Sequence, residues 1–397
     1  MFKKLAGLWS RSGPAVTPPD TVLLADCNFP RPLHDAGSVE TVALIGTLRG
    51  LGFQVAFLAL GEFFLSPDQR DPEARAALER QGVLCLSPSP DQGATGDLGI
   101  AGACASLPSV SACILARVCC GGAFAETLRA TFPKARFLFL PHDLHFLREE
   151  REALLQGDGE ALAAARQTRD QERHLLETCD ATLMVSRYEI DVARQLVPGA
   201  LCVHLPLTRH VTARAMPAGR RDIGFIGNFG HRPNGDAVRH FLDVLWPSIM
   251  AHSPDTRFHV IGDGAPDWLR ALQSETVMIH GHVPDLDALL KRLRLTVAPL
   301  RFGAGAKGKV ISSLAQGVPC VMSAIAAEGM DFPVGITDTC CATDDARFIR
   351  MTLSLLQDDA LWQHVSDAAT RMVEDMHGPD VMKRQLATLL DGFSLLP

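Results

Sequence analysis

Apolar residues along this chain fall into short unbroken runs, separated by stretches in which apolar positions recur every three or four residues. The first run is TVLLA at 21–25. After a polar turn, NFPRPLHDAGS, the residues Val42, Leu44, Ile45, Leu48 and Leu51 repeat at helix spacing, with Ser38 placed to cap the start and Gly52 to end it. Strand QVAFLAL follows at once, which completes one βαβ unit. Further strands are expected at 83–86, 112–118 and 137–140. A single charged helical stretch over 147–179 and a strand ATLMVS come next.

The second half alternates more regularly. Runs IGFIG (223–227), FHVIG (258–262), VMIHG (277–281), LTVAPL (295–300) and PCVMS (319–323) are separated by helical patterns at 235–250, 267–273, 286–292 and 310–316. Near-continuous apolar strands joined by helices predict a parallel sheet covered on both faces. Ligands of such sheets sit at the carboxyl ends of the strands, so the loops after Gly227, Gly262, Gly281 and Leu300 are the candidates.

A length of 397 residues suits two α/β domains of roughly 180 residues each. The expected plan is an N-terminal extension (1–20), a Rossmann-like domain (21–208), a basic, proline-punctuated linker (209–220), a second Rossmann-like domain (221–380) and a closing helix (381–397) packing back on the first domain. The content of 47% hydrophobic and 21% charged residues is that of a globular protein. A formal net charge of -7 offers no broad positive field for a polyanion, so no nucleic-acid partner is expected.

The 11 cysteines lack metal spacing and sit mostly in apolar runs, which predicts reduced, buried thiols and a cytoplasmic setting. The N-terminal MFKKLAGLWSRSGPAV has no signal-peptide apolar core. It reads as a frayed extension or as a short helix in weak contact with the inner face of a membrane.

Chemistry concentrates in loops. RFGAGAKGKV, 301–310, lies between a strand and a helix: Gly303, Gly305 and Gly308 allow close backbone approach, the helix start offers free N–H groups, and Lys307 and Lys309 add cations. This pattern predicts a phosphate site. It nearly spells a P-loop, but Val310 stands where a magnesium-holding hydroxyl would be needed. The loop after IGFIG holds Asn228, His231 and Arg232, with Asn234 as the expected N-cap; it offers a grip for a phosphate or a sugar. His34, Asp35, Gly37 and Ser38 form a second loop entering a helix, suited to an anion or hydroxyl. His142, ending strand RFLFL, is a candidate base, donor or orienting group. Asp285 and Asp287 form a DxD, but at a helix start, where acids serve the dipole, so no metal is expected there.

Five segments together resemble a known family: HDAGSVETVALIGTLRGLGFQVAFL, PHDLHFLREERE, CDATLMVSRYE, IGFIGNFGHRPNGDAVRHFLDVLWPSI and APLRFGAGAKGKVISSLAQGVPCVMSAIAAEGM. They are similar to the glycosyltransferase family 4 type (glycosyl transferases group 1), whose fold is GT-B, two facing Rossmann-like domains. The resemblance implies a retaining transfer of sugar from a nucleotide-diphosphate donor, UDP- or GDP-linked, with no cofactor required. The acceptor, a glycan, lipid-linked group or protein, would lie on the N-terminal side.

It also implies site residues. Asp35, Gly37 and Ser38 would lie near the diphosphate or acceptor, His142 near the reacting sugar, and Lys307 and Lys309 at the diphosphate. Gly281, His282 and Val283 would flank the nucleotide base, and Glu328 with Gly329 would approach the donor. Many members carry two glutamates eight residues apart around the glycine loop; here Ala304 and Ser312 stand in those places, and Ser312 offers the ribose a neutral hydroxyl. A non-catalytic GT-B domain that binds a nucleotide sugar or a protein partner is the alternative expectation.

Overall fold

The computed structural model describes residues 20–66, 69–88, 99–211 and 215–396. The N-terminal segment read as a membrane-surface helix lies outside them. Strands β1 (Thr21–Asp26), β2 (Gln54–Ala59), β3 (Leu84–Leu86), β4 (Val110–Ala116), β5 (Arg136–Leu140), β6 (Ala181–Met184) and β7 (Cys202–His204) form one sheet. A second is built from β8 (Asp222–Ile226), β9 (Phe258–Ile261), β10 (Val277–Gly281), β11 (Leu293–Ala298), β12 (Cys320–Ser323) and β13 (Cys341–Ala342). The orders are β3-β2-β1-β4-β5-β6-β7 and β10-β9-β8-β11-β12-β13, with every pairing parallel.

In the first half the helices are α1 (Ala36–Gly50), α2 (Pro72–Arg80), α3 (Ile100–Cys104), α4 (Ala125–Thr131), α5 (His145–Gln156), α6 (Gly159–Thr178) and α7 (Arg187–Leu196). The second half has α8 (Arg232–His240), α9 (Trp246–His252), α10 (Asp267–Arg270), α11 (Leu286–Leu290), α12 (Gly308–Ala315), α13 (Ala324–Ala327), α14 (Val334–Cys340), α15 (Asp345–Gln357), α16 (Asp359–His377) and α17 (Pro379–Gly392).

The central strands β1 and β11 are buried at every residue, whereas edge strands β3 and β10 are partly exposed. Strand periodicity splits β1 between two cores. Val22 and Leu24 pack with α1, while Leu23 and Ala25 pack on the opposite face with Leu115, Phe137 and Phe139. Met382, Leu386 and Leu390 of α17 belong to the first of these cores, so the end of the chain helps to complete the first domain.

Three expectations change. The single helix over 147–179 is an antiparallel pair, because Gly157 ends α5 in the left-handed region (φ 68°) and Asp158 caps α6 by accepting from the amides of Glu160 and Ala161. The helix over 235–250 contains a π-turn, Phe241–Leu245, immediately before α9, where Pro247 lacks the N–H that a regular ladder needs. The thiols are not all reduced: Cys27 and Cys120 form a disulfide.

Trp362 is the largest fully buried side chain of the second domain; its Nε1 donates to Arg294 O at 2.5 Å. Trp362→Ala should lower stability by about 3–5 kcal/mol, read as a fall in the urea midpoint of the second domain.

Candidate functional site

Each sheet reverses its winding beside its first strand, between β1 and β4 and between β8 and β11. Crevices at such switch points bind ligands, and here the loops leaving them meet each other across the domains.

On the N-terminal side, Asp26 at the end of β1 pairs with Arg117 beyond β4. Burial works against the Arg117 charge, but Asp26 and Asp35 outweigh it. A Cβ on residue 37 would lie 2.9 Å from the Arg117 guanidinium, so a larger residue there would displace that side chain. Asp35, not Ser38, caps α1: one carboxylate oxygen accepts the Ser38 amide at 2.7 Å and the other accepts its hydroxyl at 2.6 Å.

His142 follows β5 with φ 65°, a conformation that β-carbon residues rarely hold without a reason. Among the described residues its Nε2 is buried without a hydrogen-bond partner. Burial, reinforced by Arg117, pushes its pKa down to about 4, so the ring is neutral near pH 7. Next to it, burial would raise the Asp143 carboxyl, but Arg148 and His145 outweigh burial and hold it below the ordinary range.

On the C-terminal side, the glycine loop closes onto this segment. Gly305, at φ 70°, lies so near that a Cβ would sit 2.9 Å from Asp143 Cβ and 3.1 Å from His142 O. Its amide donates to Glu189 Oε1 at 3.0 Å, and the same oxygen accepts the Leu144 amide at 2.7 Å. Gly308 starts α12 against Ala36 of the other domain.

The two lysines do not face open space as the sequence suggested. Lys307 is buried, and its Nζ donates to Ala304 O at 2.8 Å and Gly305 O at 2.5 Å, so it supports the loop from within. Burial lowers its pKa and raises that of Glu189, while their mutual attraction opposes both shifts. Lys309 donates to Asn234 Oδ1 and lies 4.5 Å from the centre of the Phe225 ring; burial, then Lys307, pushes it down to about 7.

Asn234 is likewise not the cap of α8, which starts after His231 without a side-chain bond. Its side chain instead donates to Asn228 O at 2.7 Å, and Asn228 Nδ2 reaches His34 O at 3.2 Å in the first domain. His231 is exposed, within electrostatic reach of Arg148, Asp143, Lys309 and Lys307.

Glu328 and Gly329 turn toward the first domain. Glu328 binds Arg151 of α5 through both oxygens, at 2.8 and 2.9 Å, and Arg151 also donates to Gly303 O at 2.7 Å. Gly329, at φ 72°, packs where any Cβ would collide with Ser186 Oγ at the start of α7. Ser312 Oγ accepts from Arg209 Nε at 2.8 Å, and Arg209 is paired with the buried Glu40 of α1. Gly281, at φ 62°, borders open space. His282 after it stacks on His34 with ring centres 4.7 Å apart, and Val283 is partly buried.

Sequence reasoning missed Arg117, Arg148, Arg151, Glu189 and Arg209. Arg148 and Arg151 follow His142 by six and nine residues, at a helical spacing of three from each other, a signal present in the sequence. Arg209 was set aside because it opens the stretch read as linker, and nothing local distinguishes Glu189 from an ordinary first-turn acid.

Two doubly wound parallel sheets whose carboxyl-end loops meet across a cleft define the GT-B class. Residues 220–358 match the family described as glycosyl transferases group 1, which identifies the protein as a glycosyltransferase. The fold is similar to that of sucrose-phosphate synthase from Thermosynechococcus elongatus (TM-score 0.71, 15% identity, 94% of this chain and 99% of that one). It is also similar to HepE from Anabaena, solved in complex with UDP and glucose (TM-score 0.69, 12% identity, 94% and 100%). A third similar structure is the α,α-trehalose 6-phosphate synthase of Burkholderia multivorans (TM-score 0.67, 11% identity, 95% and 99%). No curated protein sequence matches the chain. Among the described residues no helix is long and apolar enough to cross a membrane.

Two outcomes follow from this geometry. Gly305→Ala should loosen the contact between the domains and lower stability by about 1–3 kcal/mol; an unchanged urea midpoint would show that the loop does not hold the halves together. His142, neutral when folded, binds fewer protons than the unfolded chain between its ordinary 6.5 and about 4, so its share of stability is lost as pH falls through that window. His142→Asn, which tolerates positive φ, should make the acid limb of the stability profile shallower there.

Proposed function

We propose that the protein is a retaining glycosyltransferase that takes its sugar from a nucleotide-diphosphate donor, with UDP as the favoured nucleotide. The observation that carries this reading is the closure of the Gly303–Gly308 loop over His142, whose buried Nε2 lacks a partner among the described residues. An unpaired polar atom at a strand's carboxyl end, covered by a glycine loop with two lysines behind it, is a suitable place for a sugar beside a diphosphate.

In the reaction the bond from the sugar's anomeric carbon to the diphosphate oxygen breaks, its electron pair stays on that oxygen, and the acceptor oxygen bonds to the same carbon on the same face while its proton passes to the departing diphosphate. The start of α12, Lys309 and the nearby Arg148 would offset the charge that develops on the leaving group, so no metal cofactor is required for that step. Neutral His142 would orient a sugar hydroxyl as donor or acceptor. Contacts across the cleft would exclude water and favour transfer over hydrolysis. The complex of HepE with UDP and glucose supports the choice of nucleotide. The acceptor, a glycan, lipid-linked group or protein, would approach from the N-terminal side.

Calorimetric titration with UDP, GDP, CMP and ADP tests the donor class, and saturable binding of one nucleoside diphosphate is expected. Lys309→Ala should weaken that binding roughly tenfold or more. His142→Asn should reduce turnover of the matching nucleotide sugar more than donor affinity. Unchanged affinity in the lysine variant would remove the loop from the diphosphate site. Binding without turnover across an acceptor panel would favour the non-catalytic alternative, which the neutral Ser312 makes a specific rival.

A further inference from the structure

We propose that His34, Asp263 and His282 form a binding site for a divalent transition-metal cation of the zinc type, and that this cation joins the two domains. His34 lies in the loop between β1 and α1 of the first domain. Asp263 and His282 follow β9 and β10 of the second. The Nδ1 atom of His34 lies 2.6 Å from Asp263 Oδ2 and that of His282 lies 3.6 Å from the same oxygen. One ligand atom from each of the three residues falls within 4.8 Å of the others.

Two imidazoles and one carboxylate are a donor set for zinc, cobalt or nickel rather than for magnesium or calcium, which prefer oxygen alone. Ligands at about 2.1 Å in a tetrahedral shell stand about 3.4 Å apart. The His282 separation already matches this, and the His34 contact has to open by less than an ångström. Three protein ligands leave a fourth position for solvent or for an anion in the cleft.

The surroundings hold the ligands in place. Asn228 Nδ2 donates to His34 O at 3.2 Å, and the Phe229 amide donates to Asp263 O at 2.8 Å, so both backbones are fixed by the same loop. The two imidazoles stack nearly parallel, with centres 4.7 Å and planes 13° apart and both Nδ1 atoms near the carboxylate, so one ring has to turn for both in-plane lone pairs to meet at one cation. For His34 to bind through Nδ1 its proton must sit on Nε2, which gives up the 3.4 Å contact with Arg31 and replaces the 2.6 Å hydrogen bond between Nδ1 and Asp263 by two bonds to the shared cation; Arg31 keeps its ion pair with Asp71 at 3.0 Å. Because the ligands come from both domains, a cation held by all three binds only the closed arrangement and shifts the population toward it.

The test uses the full chain, stripped with a chelator, desalted and titrated with cobalt chloride and zinc chloride. One saturable site per chain is expected, with visible cobalt bands and no near-ultraviolet thiolate band. His34→Gln and His282→Gln should each weaken binding by on the order of 100-fold, and so should the isosteric Asp263→Asn, which guards against a fold defect. Small-angle scattering should show the wild type becoming more compact on adding zinc, and His34→Gln should not respond. Absence of saturable binding, binding untouched by all three substitutions, or a thiolate band assigning the ion to cysteines would each overturn the proposal. None of these readouts depends on glycosyl transfer.

Discussion

Glu189 is a carboxylate almost wholly withdrawn from water, placed where the two halves of the molecule touch. A buried carboxylate is tolerable only if its oxygens are satisfied, and here one oxygen takes the amides of Leu144 and Gly305, one from each domain. That shared acceptor draws the glycine loop onto the end of β5. Closeness then dictates composition: residue 305 can carry no Cβ, and Lys307 must fold inward to offset the buried charge. The carbonyls of the loop are handled in the same way, with Ala304 O and Gly305 O given to Lys307 and Gly303 O to Arg151.

Charges across the cleft are consequently matched rather than free. Arg117 faces Asp26, Arg148 faces Asp143, Arg151 faces Glu328, Arg209 faces Glu40, and Lys309 rests on Asn234. In a chain with a net charge of -7, the basic groups beside the cleft are thus held by acidic or amide partners. An anion entering it would exchange partners with these groups instead of filling a bare positive pocket. Such exchange favours ligands that bring several oxygens at once, because each displaced carboxylate must be compensated.

The sheets were legible because parallel strands buried on both faces are written as unbroken apolar runs, and β8, β9, β10, β11 and β12 could each be read within two residues of their bounds. Short elements were less visible. Helices α2, α3, α4 and α7 and strand β7 of the first domain were not read out, nor were β13 and α13 to α16 of the second, of which α15 and α16 are long, with 13 and 19 residues. The glycine loop and His142 were legible as a pair of strand-end features, but their contact was not, since it depends on how two domains meet. The lysines show the limit most clearly. Their position at a glycine loop is in the sequence, whereas their inward orientation follows from Glu189, Asn234 and Phe225, residues far away in the chain. The linker reading concealed Arg209 for a similar reason, because its partners are on α1 and α12.

Residue 312 shows how a local change is redistributed through the fold. A serine there removes a negative charge from α12, and its hydroxyl accepts a hydrogen bond from the Arg209 guanidinium. Arg209 in turn binds Glu40, which burial and the neighbouring guanidinium pull in opposite directions. The charge surrounding residue 312 is therefore set by an acid of the first domain and a base of the connecting segment, not by α12 itself. An acid on α12 would stay with the second domain whatever the first domain did. Glu40 belongs to α1 of the first domain, so the polarity around residue 312 is completed by the meeting of α1, α12 and the connecting segment. The groups that shape this part of the cleft therefore come from both halves of the molecule and form one connected chain, Ser312 to Arg209 to Glu40.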